Sequence, residues 1–180
     1  MKAETYLDKG DLDNIQHRVI SYGAGTQSTA MLLMGLTGEL HAKPDFGVFA
    51  DTGGEPEEVY DYLYLIKDYV KKEFDFDIII VKNKTNIVED LLNPKVSKHG
   101  NTYISNSPPL FVRHNKDGKD YMLNRNCTTT YKINPFHKYL KKILNIKRQN
   151  PEQFKMIEQW MGMSLDEMQR MRTSQDWYLI

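Results

Sequence analysis

Apolar and polar positions along this chain fall into blocks whose period changes repeatedly. A short apolar, β-branched run near His17 to Ser21 leads into a loop with glycines at 23 and 25. An apolar stretch from about Gln27 to Leu36, opened by Ser28 and Thr29, follows it. This pattern predicts a strand, a tight turn and a helix. Asp45 to Ala50 (DFGVFA) reads as a second buried strand, ended by Asp51-Thr52-Gly53-Gly54. Pro56 suits the first position of the next helix. Glu55, Glu57 and Glu58 lie at the positive end of its dipole, with Lys67, Lys71 and Lys72 toward the other end. Val59, Leu63, Ile66 and Val70 give that helix its core stripe. Phe76 to Val81 (FDIIIV) reads as a third buried strand and Asn86 to Leu92 as a short helix. Such alternation predicts an α/β fold: three layers, α/β/α, around a mainly parallel, Rossmann-like sheet. Ligands of such folds sit beyond the carboxyl ends of the strands, where the glycine loop and Asp51-Thr52-Gly53 both fall.

The rhythm breaks over residues 94–126, an irregular segment placed as an insertion on the substrate side. Within it, Asn115-Lys116-Asp117-Gly118 between Phe111-Val112 and Tyr121-Met122 predicts a hairpin. Asn134-Pro135 caps a further amphipathic helix with Phe136, Tyr139, Leu140, Ile143 and Leu144 inward. Residues 151–161 carry local helix signals, and Ser164-Leu165-Asp166-Glu167 reads as a capping box opening a last short helix. Residues 1–15 are polar and aperiodic, a tail or a lid.

Composition narrows the classes. A chain of 180 residues is read as one domain with a real core. With 24 basic and 24 acidic residues, no global field argues for nucleic acid or membrane. The single cysteine, Cys127, excludes an internal disulfide and a CxxC pair, which suits a reducing compartment. No signal peptide or long apolar run is present, so a soluble cytoplasmic protein is expected, with a homo-oligomer as one option.

The chemistry of the first loop is that of an anion site. Its turn aims backbone amides at one point, and the helix dipole adds roughly half a positive charge there. The loop is neither a GxxxxGK[ST] P-loop nor a Rossmann GxGxxG, and an ordinary strand-to-helix turn uses the same residues. Arg125 and Lys132 are candidate cations for a phosphate or an acidic substrate, with a surface ion pair as their plain alternative. Cys127 is a candidate nucleophile or sulfur carrier whose pKa those cations would lower, or else a buried structural cysteine.

Four blocks in order resemble the adenine-nucleotide α-hydrolase-like (PP-loop) superfamily, in its phosphoadenosine phosphosulfate (PAPS) reductase-like branch. Gly23-Ala24-Gly25-Thr26-Gln27-Ser28 resembles the PP-loop SGGxDS, and Phe49-Ala50-Asp51-Thr52-Gly53 with Glu55-Pro56-Glu57 resembles (F/I)xDTGxxxPE. Arg125-Asn126-Cys127 through Lys132-Ile133-Asn134-Pro135 resembles the Cys…(Arg/Lys)-(Ile/Val)-x-Pro segment. Trp160-Met161-Gly162 with Asp166-Glu167 and Arg170 resembles a late W-x-G…(D/E)-E…R block.

The resemblance implies a HUP-type sheet with an adenine nucleotide across its carboxyl edge. Ser21, Tyr22 and Gly23 would border base and ribose. The amides of Gly25, Thr26, Gln27 and Ser28, with the Ser28 hydroxyl, would hold a phosphate or sulfate. Asp51, Thr52 and Gly53 would face the adenosine. Arg170 is one more candidate cation, and Asp166 and Glu167 are candidate Mg²⁺ ligands. It also implies that Lys155 to Gly162 form a late strand, against the local helix signals, and the strand is the reading adopted. The C-terminal part, 148–180, is thus expected to be a strand and a short helix.

Three departures bear on function. Gln27 replaces the PP-loop Asp, Thr26 the frequent Lys, and Gly23 the leading Ser. The chain ends Trp177-Tyr178-Leu179-Ile180 without the second cysteine of thioredoxin-coupled reductases, as a truncated or minimal variant would. The first expectation is therefore a PP-loop enzyme that uses ATP with Mg²⁺ and cleaves between the α and β phosphates. It would adenylate an acceptor, in a nucleic-acid or base modification or a sulfur transfer, or on a partner protein. The alternatives are a PAPS- or APS-binding sulfonucleotide enzyme without thioredoxin coupling, and a non-catalytic nucleotide-binding module.

Overall fold

The computed structural model describes residues 15–104, 111–113, 118, 120–122, 126–143 and 157–170. The alternation predicted for the first half is present as β1 (His17–Tyr22), α1 (Thr26–Thr37), β2 (Phe46–Asp51), α2 (Glu57–Phe74), β3 (Ile78–Lys82) and α3 (Ile87–Leu92). Then follow β4 (Lys95–Val96), β5 (Thr102–Tyr103), β6 (Phe111–Arg113), β7 (Asp120–Met122), a π-helical turn (Thr128–Ile133) and α4 (Asn134–Ile143). Strand β8 (Ile157–Met161) and a 3₁₀ turn (Leu165–Arg170) complete the described elements.

Four strands form one sheet in the order β3-β2-β1-β8. Both neighbours of β1 run parallel to it: Val19 pairs with Phe46 and Tyr22 with Phe49 on one side, His17 with Ile157 and Ser21 with Met161 on the other. The chain steps outward from β1 to β2 to β3 and then returns to the opposite side of β1 with β8. Strand order therefore reverses between β1 and β8. This is the Rossmann-like, three-layer α/β arrangement that the alternation predicts.

By its internal contacts the chain divides into two compact units. The first comprises Met1–Phe49, Glu58–Ile79 and Lys147–Ile180, the second Ala50–Glu57 and Ile80–Ile146. In the first unit, Val19 and Ile20 of β1 are wholly buried, as the continuous apolar run of a strand covered on both faces requires. Leu32 of α1 and Leu63, Ile66 and Val70 of α2 pack into the same core, with Val59 half-buried at the edge of the stripe. Over Ile157–Met161 the strand reading holds. Ile157 and Trp160 are buried and their backbone joins the β1 ladder, a tertiary gain that outweighs the helical spacing.

At the amino end of the β1–β8 seam, an acid lies inside the sheet layer. Glu158 is buried and its carboxylate takes hydrogen bonds from Arg18 Nε (3.0 Å) and Trp160 Nε1 (2.9 Å), with His41 Nε2 at 2.7 Å. Three partners offset the desolvation that a lone buried carboxylate would suffer.

In the second unit, Asn86 caps α3: its side chain accepts from the Glu89 amide (2.7 Å) and the Glu89 carboxylate accepts from the Asn86 amide (3.2 Å). The segment 94–126 holds two small antiparallel ribbons, β4–β5, which the sequence pattern did not announce, and the predicted hairpin β6–β7. Arg113 Nε pairs with Asp120 at 3.0 Å across the latter. Two expectations for α4 need correction. Asn134 has helical angles (φ −62°, ψ −47°) because the chain already winds from Cys127 through the π turn, so it is no N-cap of α4; its amide closes the π turn by donating to the Thr129 carbonyl. Phe136 and Leu140 are buried, whereas Ile143 is exposed, since it sits on the edge of the stripe in the final turn; Leu144 lies outside the described residues. Residues 1–14 and 151–156 also lie outside them.

Among the described residues no helix is long and apolar enough to cross a membrane. Replacing the wholly buried Ile20 by alanine is expected to cost roughly 2–5 kcal/mol in urea denaturation. Leu92→Ala, at a position 72% exposed, is expected to change stability by no more than about 0.5 kcal/mol.

Candidate functional site

The glycine bend after β1 is organised by one hydroxyl. Ser28, buried in the first turn of α1, accepts hydrogen bonds from the amides of Gly23 and Gly25 (3.3 Å each) and donates its own proton to the Gly25 carbonyl at 3.1 Å. The Ser28 hydroxyl and the Gly25 amide, both expected from the resemblance to hold an anion, are thus engaged with each other. The Thr26 and Gln27 amides head the helix without a backbone partner among the described residues, and both residues are exposed. Between the two glycines, Ala24 is buried with φ +53°. For an L-residue that region costs about 1–2 kcal/mol, so the bend is held in place by its surroundings.

What holds it is the exit of β8. A Cβ built on Gly162 would lie 2.6 Å from both the Gln27 carbonyl carbon and the Ser28 nitrogen. The backbone after β8 therefore lies directly against the first turn of α1, at the carboxyl end of the β1–β8 reversal. Only glycine fits there. Tyr22, at the end of β1, closes the floor: its hydroxyl is 3.0 Å from that of Thr29. Burial pushes the phenol pKa up, the bond to Thr29 opposes this, and neighbouring Tyr62 adds to it. Ser21 is half-buried beside it.

After Gly162, the Ser164 hydroxyl bonds the Asp166 carboxylate and holds its pKa below the usual range. The predicted helix start is a 3₁₀ turn, with the Glu167 amide donating to the Ser164 carbonyl at 3.0 Å; Arg170 ends it. Among the described residues no group of three or more His, Cys, Asp or Glu is placed to hold a metal ion. Asp166 is exposed and Glu167 half-buried in this turn.

In the second unit, the turn after β2 is tied by its own side chains. The Gly53 amide donates to Asp51 Oδ1 (2.8 Å) and the Gly54 amide to Thr52 Oγ1 (3.3 Å). The Thr52 carbonyl accepts from the Ile87 amide at 3.0 Å, seating the turn on the start of α3. Gly53 has φ +69°, and a Cβ there would collide with the Cβ of Asn86. Thr52 Oγ1 also donates to Glu55 Oε1 (3.2 Å), and the same oxygen pairs with Lys132 Nζ at 3.3 Å. Lys132 thus occupies the ion pair that was its plain alternative, joined to the Asp51–Glu55 turn.

Cys127 is half-buried where the π turn begins, and Arg125 lies outside the described residues. Sequence reasoning missed a buried polar pair in this unit. The hydroxyl of wholly buried Tyr131 donates to buried Asp90, which also accepts from Thr85 Oγ1 at 3.0 Å. An acid near the end of a short apolar helix was the only sign of it. π turns are rare and concentrate at functional sites.

No family model matches this sequence, and no curated protein or solved structure matches it.

Two substitutions check the bend and the turn by thermal unfolding. Ala24→Gly removes the left-handed strain and is expected to leave stability unchanged or raise it by up to about 1 kcal/mol. A clear loss would mean that the methyl group, not the backbone, is what the bend needs. Gly53→Ala must meet both a positive φ and the Asn86 side chain, and is expected to lose about 1–3 kcal/mol.

Proposed function

We propose that this chain binds an adenine nucleotide with its anionic end on the Thr26 and Gln27 amides, and that it is an enzyme of the PP-loop type. An acceptor oxygen attacks the α-phosphorus of ATP and forms a new P–O bond. The bond from that phosphorus to the α–β bridging oxygen breaks, and pyrophosphate leaves with the electron pair. The acceptor's proton passes to solvent. The observation that carries the reading is the strained bend: the amides of two exposed residues at the positive end of a twelve-residue helix, without backbone partners among the described residues, beside the reversal of strand order. Ser28 then acts as the brace of the bend rather than as a ligand. Arg125, Lys132 and Cys127 enter through the resemblance, as charge-neutralising groups and as the available thiol.

Gly25 provides a clean test. Its backbone is extended (φ −106°, ψ 170°), and the nearest atom to a Cβ there is Gln27 Oε1 at 3.8 Å. Gly25→Val should therefore fold normally while its branched side chain fills the approach to the amides. Ligand at 100 times Kd should add about 2.7 kcal/mol of stability, read as a rise in Tm. The wild type is expected to show that rise with ATP and Gly25→Val to lose it while keeping its unliganded Tm. A rise with PAPS and none with ATP would replace adenylation by the sulfonucleotide reading. A full rise in Gly25→Val, or none in the wild type with any adenine nucleotide, would overturn the site. Pyrophosphate release that falls at least tenfold in Cys127→Ser and Arg125→Ala would tie those residues to turnover.

A further inference from the structure

The outer side of α2 carries apolar side chains that the core does not use. Leu63, Ile66 and Val70 face inward, while Tyr62, Leu65 and Tyr69 are 36%, 64% and 47% exposed. With Glu58 before them and Lys72 after, these residues recur at spacings of four, three, four and three, the a/d seam of a two-helix packing. The seam is also polar end to end: acid at its amino end, tyrosine, leucine and tyrosine in the middle, base at its carboxyl end. Reversed about Leu65 it matches itself, with Glu58 meeting Lys72, Tyr62 meeting Tyr69 and Leu65 meeting Leu65.

The other cations of α2 are already committed. Lys67 donates to the Ile78 carbonyl, and Lys71 pairs with Asp75 (2.7 Å) and Asp77 (3.0 Å). Lys72 is left with a 3.8 Å approach to its neighbour Glu73. Glu58 has no ion pair among the described residues.

We infer that this face is a homodimer interface in which α2 of one copy packs antiparallel on α2 of a second, about a two-fold axis at Leu65. Two-fold packing makes the surface its own complement, which the palindromic order of charge and bulk supplies. The seam is one helix pair about 20 Å long, from Glu58 to Lys72, so the dimer is weak and depends on concentration. The inference stands apart from nucleotide binding.

Sedimentation equilibrium from low micromolar to near millimolar protein tests it. The wild type is expected to move from monomer to dimer across that range, and Leu65→Asp, at an exposed helical position, to stay monomeric with an unchanged far-UV circular dichroism spectrum. Glu58→Lys places like charges opposite each other at both ends and should weaken the dimer about tenfold. Adding Lys72→Glu to Glu58→Lys restores opposite charges and should recover the wild-type constant. A wild type that is monomeric throughout would overturn the inference. So would a dimer that ignores Leu65→Asp, or a charge reversal that its partner fails to rescue.

Discussion

The parallel seam between β1 and β8 is the contact on which the first unit depends. Val19 and Ile20 are wholly buried, so the β1 backbone can satisfy its amides and carbonyls only through neighbouring strands. One neighbour, β2, follows soon in the chain. The other arrives from far along it: Arg18 and Glu158, joined across the seam, are 140 positions apart. Such a contact repays its loop-closure entropy only when the whole element docks. Glu158 contributes to that docking, because two of its three polar partners, Arg18 and His41, reach it only when β8 is in place.

The same seam sets the character of the candidate site. Where β8 ends, Gly162 brings backbone against backbone at the start of α1 and fixes the height of the first helical turn. Ser28 then ties the bend from within, and Ala24 absorbs the strain of the reversal. The bend is thus tied on both sides, and the anion proposed to bind there would meet amide donors already held in place.

The second unit follows a different logic. Its turn after β2, the start of α3 and the π turn are joined by short polar contacts: Thr52 to Ile87 and Glu55, Glu55 to Lys132, Tyr131 to Asp90. The buried Tyr131–Asp90 bond specifies geometry sharply, because either group left unpaired would cost its desolvation, whereas the more exposed Glu55–Lys132 pair adds little. Cys127 and Lys132 are carried at the two ends of the turn so fixed.

Local pattern by itself determined the strands and helices of the first half and the β6–β7 hairpin. Burial of a stripe, dipole complementarity and turn chemistry act over a few residues and leave their mark in residue type. Residues such as Leu63, Ile66 and Val70 could be read as core before any fold was known. Only tertiary structure decided that Ile157–Met161 is a strand, that Ser28 braces the bend, that Lys132 sits on Glu55, and that the chain winds as a π turn before α4. Each of these rests on a partner distant in sequence or on one hydrogen-bond choice among several. The free energy that selects among them exists only once the distant element has docked.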